Sequence, residues 1–112
     1  MSEAIRFDDF LKVDIRVGRI VSVEEFPKAR KPAYKVQVDF GAEIGTKWSS
    51  AQVTHYAPEA LIGRQVIAVV NFEPKNIAGF RSEILILGVP DSEGQVALVK
   101  PDPEVPLGGR LY

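Results

Sequence analysis

The chain of 112 residues contains no cysteine and a single histidine, His55. Without cysteine it forms no disulfide and offers no thiolate as a nucleophile or metal ligand, which suits a reducing compartment. One histidine with no close acidic triplet is too little for a transition-metal cage. The phosphate-binding patterns Gly-x-Gly-x-x-Gly and Gly-Lys-Ser/Thr are also missing. We therefore expect neither a metal nor a cofactor.

A catalytic site is not predicted either. Ser49, Ser50, His55 and the aspartates supply the residue types of a catalytic triad, but no Gly-x-Ser-x-Gly elbow surrounds a serine. His55 directly precedes a predicted helix, where a capping or surface role is the simpler interpretation. Because a triad depends on geometry that sequence proximity does not supply, we expect a protein that is not an enzyme.

Long apolar runs are absent as well. No run approaches the ~20 residues that cross a bilayer, and the first residues lack the charged-then-apolar pattern of a secretory signal, so we expect no membrane span and a cytoplasmic location. Hydrophobic residues make up 46% of the chain and charged residues 26%, as in ordinary globular proteins. This length suits one domain over residues 1–112 that buries roughly two-thirds of its unfolded surface.

Hydrophobic periodicity predicts a mainly β protein. Phe7, Phe10 and Leu11 have helical spacing, and Tyr34 to Phe40 alternates apolar and polar residues as a half-buried strand does. Gly18 interrupts the first strand and indicates a bulge or bend. The predicted elements are a helix over about 5–12, strands Val13–Val23, Tyr34–Phe40 and Thr46–Val53, buried central strands Val66–Phe72 and Ile84–Val89, a short strand Val96–Val99 and an extended tail Pro101–Tyr112. Within the segment Tyr56–Gly63, a helix of about two turns begins with Pro58 in its first position and is capped by Gly63 in the left-handed conformation.

This order of elements is typical of the OB-fold. Three strands, a helix and two further strands match a five-stranded Greek-key barrel with its helix between strands three and four. The fold class is therefore all-β, with a short N-terminal helix and a C-terminal extension over residues 95–112 added to the barrel. OB-folds bind ligands against strands two and three and the loops joining strands one to two and four to five.

Two basic, turn-rich loops occupy those ligand-binding positions. The stretch from Lys28 to Lys35 contains four basic residues and no acidic one, in a chain of formal net charge -1. The second loop, over residues 73–83, lies between two apolar runs. Such clusters contact phosphates, acidic segments of another chain, or only water.

Aromatic residues accompany both loops. Phe26 is the better candidate for a ligand contact in the first loop, because Tyr34 has the apolar parity of its strand and belongs to the core. In the second loop, Phe72 is expected to end a buried strand and Phe80 to be exposed beside a cation. Trp48 shares the face of Ser50 and Gln52, and is either a platform in the groove or ordinary core filler.

Several ordered motifs together resemble the CsaA family of small export-related chaperones. They are Lys28-Ala29-Arg30-Lys31-Pro32-Ala33-Tyr34-Lys35, Ser49-Ser50-Ala51-Gln52-Val53-Thr54, Val70-Asn71-Phe72, Gly79, Ser82-Glu83 and Leu87-Gly88. The segments Lys12 to Ile20 and Tyr56 to Gly63 are similar, more distantly, to the tRNA-binding domain appended to some methionyl- and phenylalanyl-tRNA synthetases. Trp48 departs from the chaperone pattern, in which a smaller polar residue is usual.

The chaperone resemblance implies a cytoplasmic homodimer whose terminal extensions build the interface. It further implies binding of unfolded or precursor polypeptides and cooperation with the Sec export motor, whereas the synthetase resemblance implies binding of tRNA. The candidate contact residues are Phe26, Lys28, Arg30, Lys31, Lys47, Ser49, Ser50, Gln52, Asn71, Lys75, Asn76, Phe80, Arg81 and Ser82.

Two binding functions follow from these observations. One is a peptide-binding chaperone, and the alternative is a structure-selective tRNA or RNA binder that uses the same groove. Strong nucleic-acid modules usually carry a basic surplus, so the formal net charge of -1 favours the chaperone.

Overall fold

The computed structural model describes residues 2–112, which form two short helices and nine strands. The helices are α1 (Phe7–Leu11) and α2 (Pro58–Leu61). The strands are β1 (Ile15–Glu25), β2 (Tyr34–Asp39), β3 (Thr46–Ala51), β4 (Gln65–Val69), β5 (Lys75–Ile77), β6 (Phe80–Ser82), β7 (Leu85–Ile86), β8 (Gly88–Pro90) and β9 (Val96–Leu98).

Five strands form a nearly closed antiparallel barrel in the order β3-β2-β1-β4-β7. The first half of β1 pairs with β4 and its second half pairs with β2, so one long strand serves both sides of the barrel. Helix α2 lies between β3 and β4 in the chain. This arrangement confirms the predicted OB-fold barrel.

The bend in β1 lies three residues beyond the predicted place. The register with β2 shifts between Ile20 and Ser22, so the irregularity falls at Val21. Gly18 instead permits close packing: a Cβ atom there would lie 2.8 Å from Cε1 of Phe40 and would also meet Cγ1 of Val38. The glycine is therefore required by the packed interior of the barrel.

Two apolar clusters stabilise the structure. The larger one fills the barrel and includes Val36, Val38, Phe40 and Leu61. The smaller one comprises Ile15, Val17, Ile67 and Val69, with Phe10 and Val13 packed against it. Because alternate residues of β1 and β4 point to opposite faces, the second cluster forms on the outer surface of the barrel, beneath α1.

Of the two strands predicted to be buried on both faces, one is buried in the structure and the other is not. All five residues of β4 are buried, as expected, but the strand ends at Val69, and Phe72 is 54% exposed. The run from Ile84 to Val89 is divided between β7 and β8, and Leu85 is 48% exposed. That prediction was wrong because β7 is a two-residue edge strand, and β8 pairs only with β9, outside the barrel.

The helices are shorter than predicted. Helix α2 makes one turn rather than two, although Pro58 does occupy its first turn and Gly63, with φ of +90°, follows it in the left-handed conformation. Neither α1 nor α2, the helices of residues 2–112, has the length and apolar character required to cross a membrane.

The C-terminal tail runs back along β1. The amide N–H groups of Gly108 and Leu111 donate to the carbonyl oxygens of Val17 and Ile15, over 2.8 Å in both cases. Buried Gln65 holds the tail further upstream, because its amide donates to the Val105 carbonyl (2.6 Å) and accepts from the Val105 N–H (3.1 Å). The tail is thus extended along a strand edge, as its prolines and glycines indicate.

Candidate functional site

The two predicted loops meet beside the barrel. The ring of Phe26 from the first loop lies 5.4 Å from the ring of Phe80, edge to face, and Trp48 lies 6.1 Å from Phe80. The Nζ atom of Lys35 lies 5.1 Å and 5.2 Å from the ring centroids of Phe26 and Phe80. Aromatic and cation–π contacts of this kind hold the two segments together.

The second loop is a β-hairpin rather than irregular chain. Strands β5 and β6 are joined by Ala78 and Gly79, both at positive φ (50° and 84°), as a type I′ turn requires. The Asn76 side-chain oxygen accepts a hydrogen bond from the Gly79 N–H, over 2.9 Å. Sequence reasoning missed this hairpin because Ala-Gly is a weaker turn signal than Asn-Gly or Asp-Gly.

Hydrogen bonds attach the hairpin to strand β3. The Ser82 hydroxyl oxygen accepts from the Ser50 N–H over 3.1 Å. The Glu83 N–H donates to the Trp48 carbonyl (2.8 Å), and the Glu83 carboxylate accepts from the Trp48 N–H (3.1 Å). Ser82 therefore orients the hairpin, and its hydroxyl is already engaged with the protein.

A groove of about 590 Å³, here called the cationic groove, separates the first loop from the hairpin. Three cations line it, and no carboxylate does. The lining residues are Ala29, Arg30, Lys31, Ala33, Ser50, Gln52, Lys75, Asn76 and Ile77. Since the positive charges have no acidic neighbour in the groove wall, this surface attracts anionic groups.

A second groove of about 650 Å³, here called the apolar groove, adjoins the first. Phe72, Ile77 and Leu85 contribute to its walls, together with Glu73 and Glu83. The two grooves share Ser50, Gln52, Lys75 and Ile77 as lining residues. A ligand that crosses this shared boundary would contact cations on one side and apolar surface on the other.

Sequence reasoning missed the apolar groove because it assigned its walls to buried strands. Phe72 and Leu85 were expected in the core, yet each leaves about half of its surface exposed. Pro74, two residues after Phe72, indicates that the chain has left the central strand by that point, whereas no local signal marks Leu85 as exposed.

Trp48 lies on the outer face of β3. It is directly opposite Gln37, and neighbouring Ser49 is opposite Val36, which is fully buried in the barrel core. Residues opposite each other on paired strands share a face. The interpretation of Trp48 as a residue of the hydrophobic core is therefore excluded. The Trp48 ring packs on Phe80 outside the barrel.

Two of the predicted contact residues are buried within the protein. Phe26 is only 5% exposed because Phe80 and Lys35 cover its ring. Ser49 is 2% exposed and its hydroxyl donates to the Ile84 carbonyl over 3.1 Å. Neither offers a surface to a ligand.

Asn71 has a structural role as well. Its side-chain oxygen accepts from the Asp14 N–H (2.9 Å), and its amide nitrogen donates to the Lys12 carbonyl (2.8 Å). The residue thus joins the end of β4 to the start of β1.

Lys47 also lies apart from the grooves: it is opposite buried Val38, on the face of β3 away from Trp48.

The remaining predicted contact residues surround the two grooves and the aromatic cluster, which consists of Phe26, Trp48 and Phe80. Most of these residues are exposed, and Ser50 and Phe80 are half-buried. The exposed ones are Lys28, Arg30, Lys31, Gln52, Lys75, Asn76 and Arg81.

Tyr34 is in the core, as expected, where its hydroxyl donates to the Tyr56 carbonyl over 3.0 Å. His55 is exposed, and its imidazole Nε2 lies 2.8 Å from the Val96 carbonyl oxygen.

Comparison with known proteins agrees with this architecture. A family model described as "Putative tRNA binding domain" matches residues 15–110, and the crystal structure of the CsaA chaperone protein from Picrophilus torridus superposes with a TM-score of 0.92. That structure is 50% identical, over 97% of this chain and 100% of its own. The chain belongs to the tRNA-binding domain family, on its CsaA branch. The predicted resemblance is confirmed.

The other similar proteins include both a chaperone and a tRNA ligase. The chaperone CsaA of Bacillus anthracis is 50% identical, with a TM-score of 0.90, over 98% of this chain and 100% of its own. The methionine–tRNA ligase of Pyrococcus abyssi is 43% identical over 107 residues, or 96% of this chain and 14% of the ligase. The chain thus spans about a seventh of that enzyme's length, and the shared part is a binding module.

Proposed function

We propose that the protein is a chaperone that binds extended segments of unfolded or precursor polypeptides. The observation that carries the proposal is the apolar groove, which lies directly against the cationic groove. Unfolded chains expose apolar side chains beside charged ones, and the paired grooves offer both kinds of surface. Two of the similar structures are described as chaperones.

The exposed apolar walls support the assignment to peptide. Phe72 and Leu85 are large side chains that remain about half exposed. Covering such surface yields roughly 25 cal/mol per Å², so an inserted leucine or phenylalanine side chain contributes about 1.5–3 kcal/mol. Contiguous apolar surface rimmed by polar residues is typical of a protein-binding site.

The aromatic cluster is better suited to holding the site together than to stacking bases. Single-stranded nucleic acids bind across free aromatic faces. Here Phe26 is buried, Phe80 lies between Phe26 and Trp48, and Lys35 lies over the two phenylalanine rings. This packing favours the peptide function over recognition of unstacked bases.

Binding of tRNA is the second candidate. The cations of the first loop and the hairpin, and the match to a tRNA-binding family model, support it. Phosphate contacts would then provide most of the affinity, with the RNA recognised through its shape and backbone.

The two functions are separated by their response to salt. We expect reduced, carboxymethylated α-lactalbumin, a permanently unfolded chain, to lose less than about tenfold in affinity between 50 and 200 mM salt, because burial of apolar surface is not screened. A tRNA that engages ~6 phosphates would lose roughly a thousandfold. Fluorescence anisotropy with labelled client and labelled tRNA measures both affinities.

The relative affinities decide the assignment. A client that binds at physiological salt, where tRNA is released, supports the chaperone function. Tight tRNA binding at that salt, with no measurable capture of the unfolded client, would contradict it and leave tRNA as the ligand.

The proposal includes a cellular location and a partner. Precursor polypeptides are synthesised in the cytoplasm, so we place the protein there, delivering bound precursors to the Sec export motor. The complete absence of cysteine suits this reducing compartment.

The proposal also includes a homodimer built on the terminal segments. Ile5, Phe7 and Leu11 at one end and Leu111 and Tyr112 at the other are exposed apolar residues. They belong to neighbouring segments, because the Arg110 guanidinium donates to the Leu11 carbonyl over 2.8 Å. A second copy of the chain would cover this surface and join two pairs of grooves, which raises avidity for a long client.

Replacement of Phe7 by serine tests the dimer. Phe7 is 70% exposed, so its loss removes apolar surface from the interface and little from the barrel. We expect the dimer dissociation constant to rise about 30- to 100-fold, measured by analytical ultracentrifugation. Val21→Ser, at an exposed valine in the other half of β1, is the control and should leave the constant unchanged. Equal dimerisation of both variants would contradict the terminal interface.

A further inference from the structure

One edge of the β5–β6 hairpin is unoccupied within residues 2–112. Strand β5 pairs with β6 and with no other strand of the described chain. Ile77 and Phe80 flank the two-residue turn and form the hydrogen-bonded pair, so the next pair, Asn76 and Arg81, exchanges no backbone hydrogen bonds. The backbone N–H and C=O of Asn76 therefore point away from β6, toward the open edge.

This open edge borders the cationic groove. All three residues of β5 line the groove, and Ala29, Arg30, Lys31 and Ala33 of the first loop line it too. An edge strand with unpaired polar groups is a template on which another extended chain can pair. The groove, of about 590 Å³, provides space beside this template.

Charge complementarity selects the occupant. Arg30, Lys31 and Lys75 line the groove without any carboxylate. A polypeptide that carries aspartate or glutamate can offer both the matching charge and the alternating N–H and C=O groups that pair with a strand. A nucleic acid matches the charge but has no strand backbone.

We propose that an extended, acidic peptide segment binds by adding a strand to β5. The segment exchanges two backbone hydrogen bonds with Asn76 and places a carboxylate beside Arg30 and Lys31. Main-chain pairing of this kind provides affinity with little dependence on sequence, which suits a protein with varied clients. The inference rests on the proposed peptide-binding function and adds how the peptide is held.

The test compares two substitutions at one position. Both Asn76→Pro and Asn76→Ala remove the side-chain oxygen that accepts from Gly79, but only proline also removes the backbone N–H. Proline is tolerated on an edge strand where the N–H faces outward. The probe is a short fluorescein-labelled peptide of alternating valine and threonine with one central glutamate. We expect the proline variant to bind it about five- to tenfold more weakly than the alanine variant.

Amide exchange in the unmodified protein gives a second readout. Solvent exchange of the Asn76 N–H, followed by NMR, should slow when the peptide is bound and stay fast when tRNA is bound. This measurement requires no variant to fold. Equal peptide affinity of the two variants, or free exchange at Asn76 in the complex, would overturn strand addition.

The outcomes distinguish the inference from the function on which it rests. Peptide binding that weakens on removal of Arg30 and Lys31, yet leaves Asn76 exchanging freely, overturns strand addition and retains the peptide-binding function. Failure of the peptide and of unfolded α-lactalbumin to bind at all overturns both. Protection of Asn76 by tRNA would assign the edge to nucleic acid, and would also overturn the inference.

Discussion

Changing Arg30 and Lys31 together to alanine is expected to weaken client binding about fivefold. The two side chains are exposed, line the cationic groove and have no carboxylate beside them in its wall. Each exposed charge pair with an acidic client is worth about 0.2–1 kcal/mol, so the loss is moderate. Anisotropy titrations of labelled α-lactalbumin at physiological salt give the affinity.

The same variant affects tRNA far more. If both cations contact phosphates, the salt dependence of log K falls in slope by about 2, and affinity at low salt falls roughly 30-fold or more. Lys12→Ala with Lys100→Ala is the matched control, because it removes two exposed positive charges outside both grooves. Unchanged affinity of the Arg30 and Lys31 variant for both ligands would show that the site lies elsewhere on the molecule.

Introducing a single methyl group at Gly18 is expected to destabilise the barrel severely. In Gly18→Ala the new Cβ atom would lie 2.8 Å from the ring of Phe40 and would collide with Val38. Overpacking of a filled core typically costs about 1–3 kcal/mol, and here the two neighbours are almost completely buried. A loss of that size lowers the melting temperature by roughly 5–15 °C. Calorimetry or thermal denaturation followed by circular dichroism measures the change.

A second substitution identifies the cause of that loss. Val38→Ala removes the methyl groups that the Gly18→Ala side chain would meet. The double variant should therefore be more stable than the sum of the two single effects predicts, by about 0.5–3 kcal/mol. Strict additivity would mean that the glycine is required for another reason, such as the conformation of β1.

The barrel could be predicted from the sequence because its signals are local and periodic. The alternation from Tyr34 to Phe40 gave both the strand and its buried face, and Pro58 gave the start of α2. The helix was predicted one turn too long, because apolar Ile62 continues its composition although the backbone of Ile62 is already extended. Composition alone does not show where tertiary packing ends an element.

The candidate site was predicted less completely, because its parts meet only through tertiary contacts. The basic composition of the first loop was visible in the sequence, and the fold brought it to the hairpin. Burial of Phe26 depends on Phe80, which lies more than fifty residues further along the chain. No local pattern encodes that contact, and Ser49, on a polar strand, was likewise assigned to the surface although it closes the core beside Ile84.

Asp14 joins the start of the barrel to the C-terminal tail, and this contact affects how such a barrel can be attached to another domain. Its carboxylate lies 2.6 Å from Nε of Arg16 and 3.6 Å from Nε of Arg110, the residue whose guanidinium also reaches the Leu11 carbonyl. The chain therefore enters and leaves the barrel at neighbouring positions. A larger protein can acquire the module as a side attachment without rerouting its own backbone, which is consistent with a ligase containing the same unit within a seventh of its length.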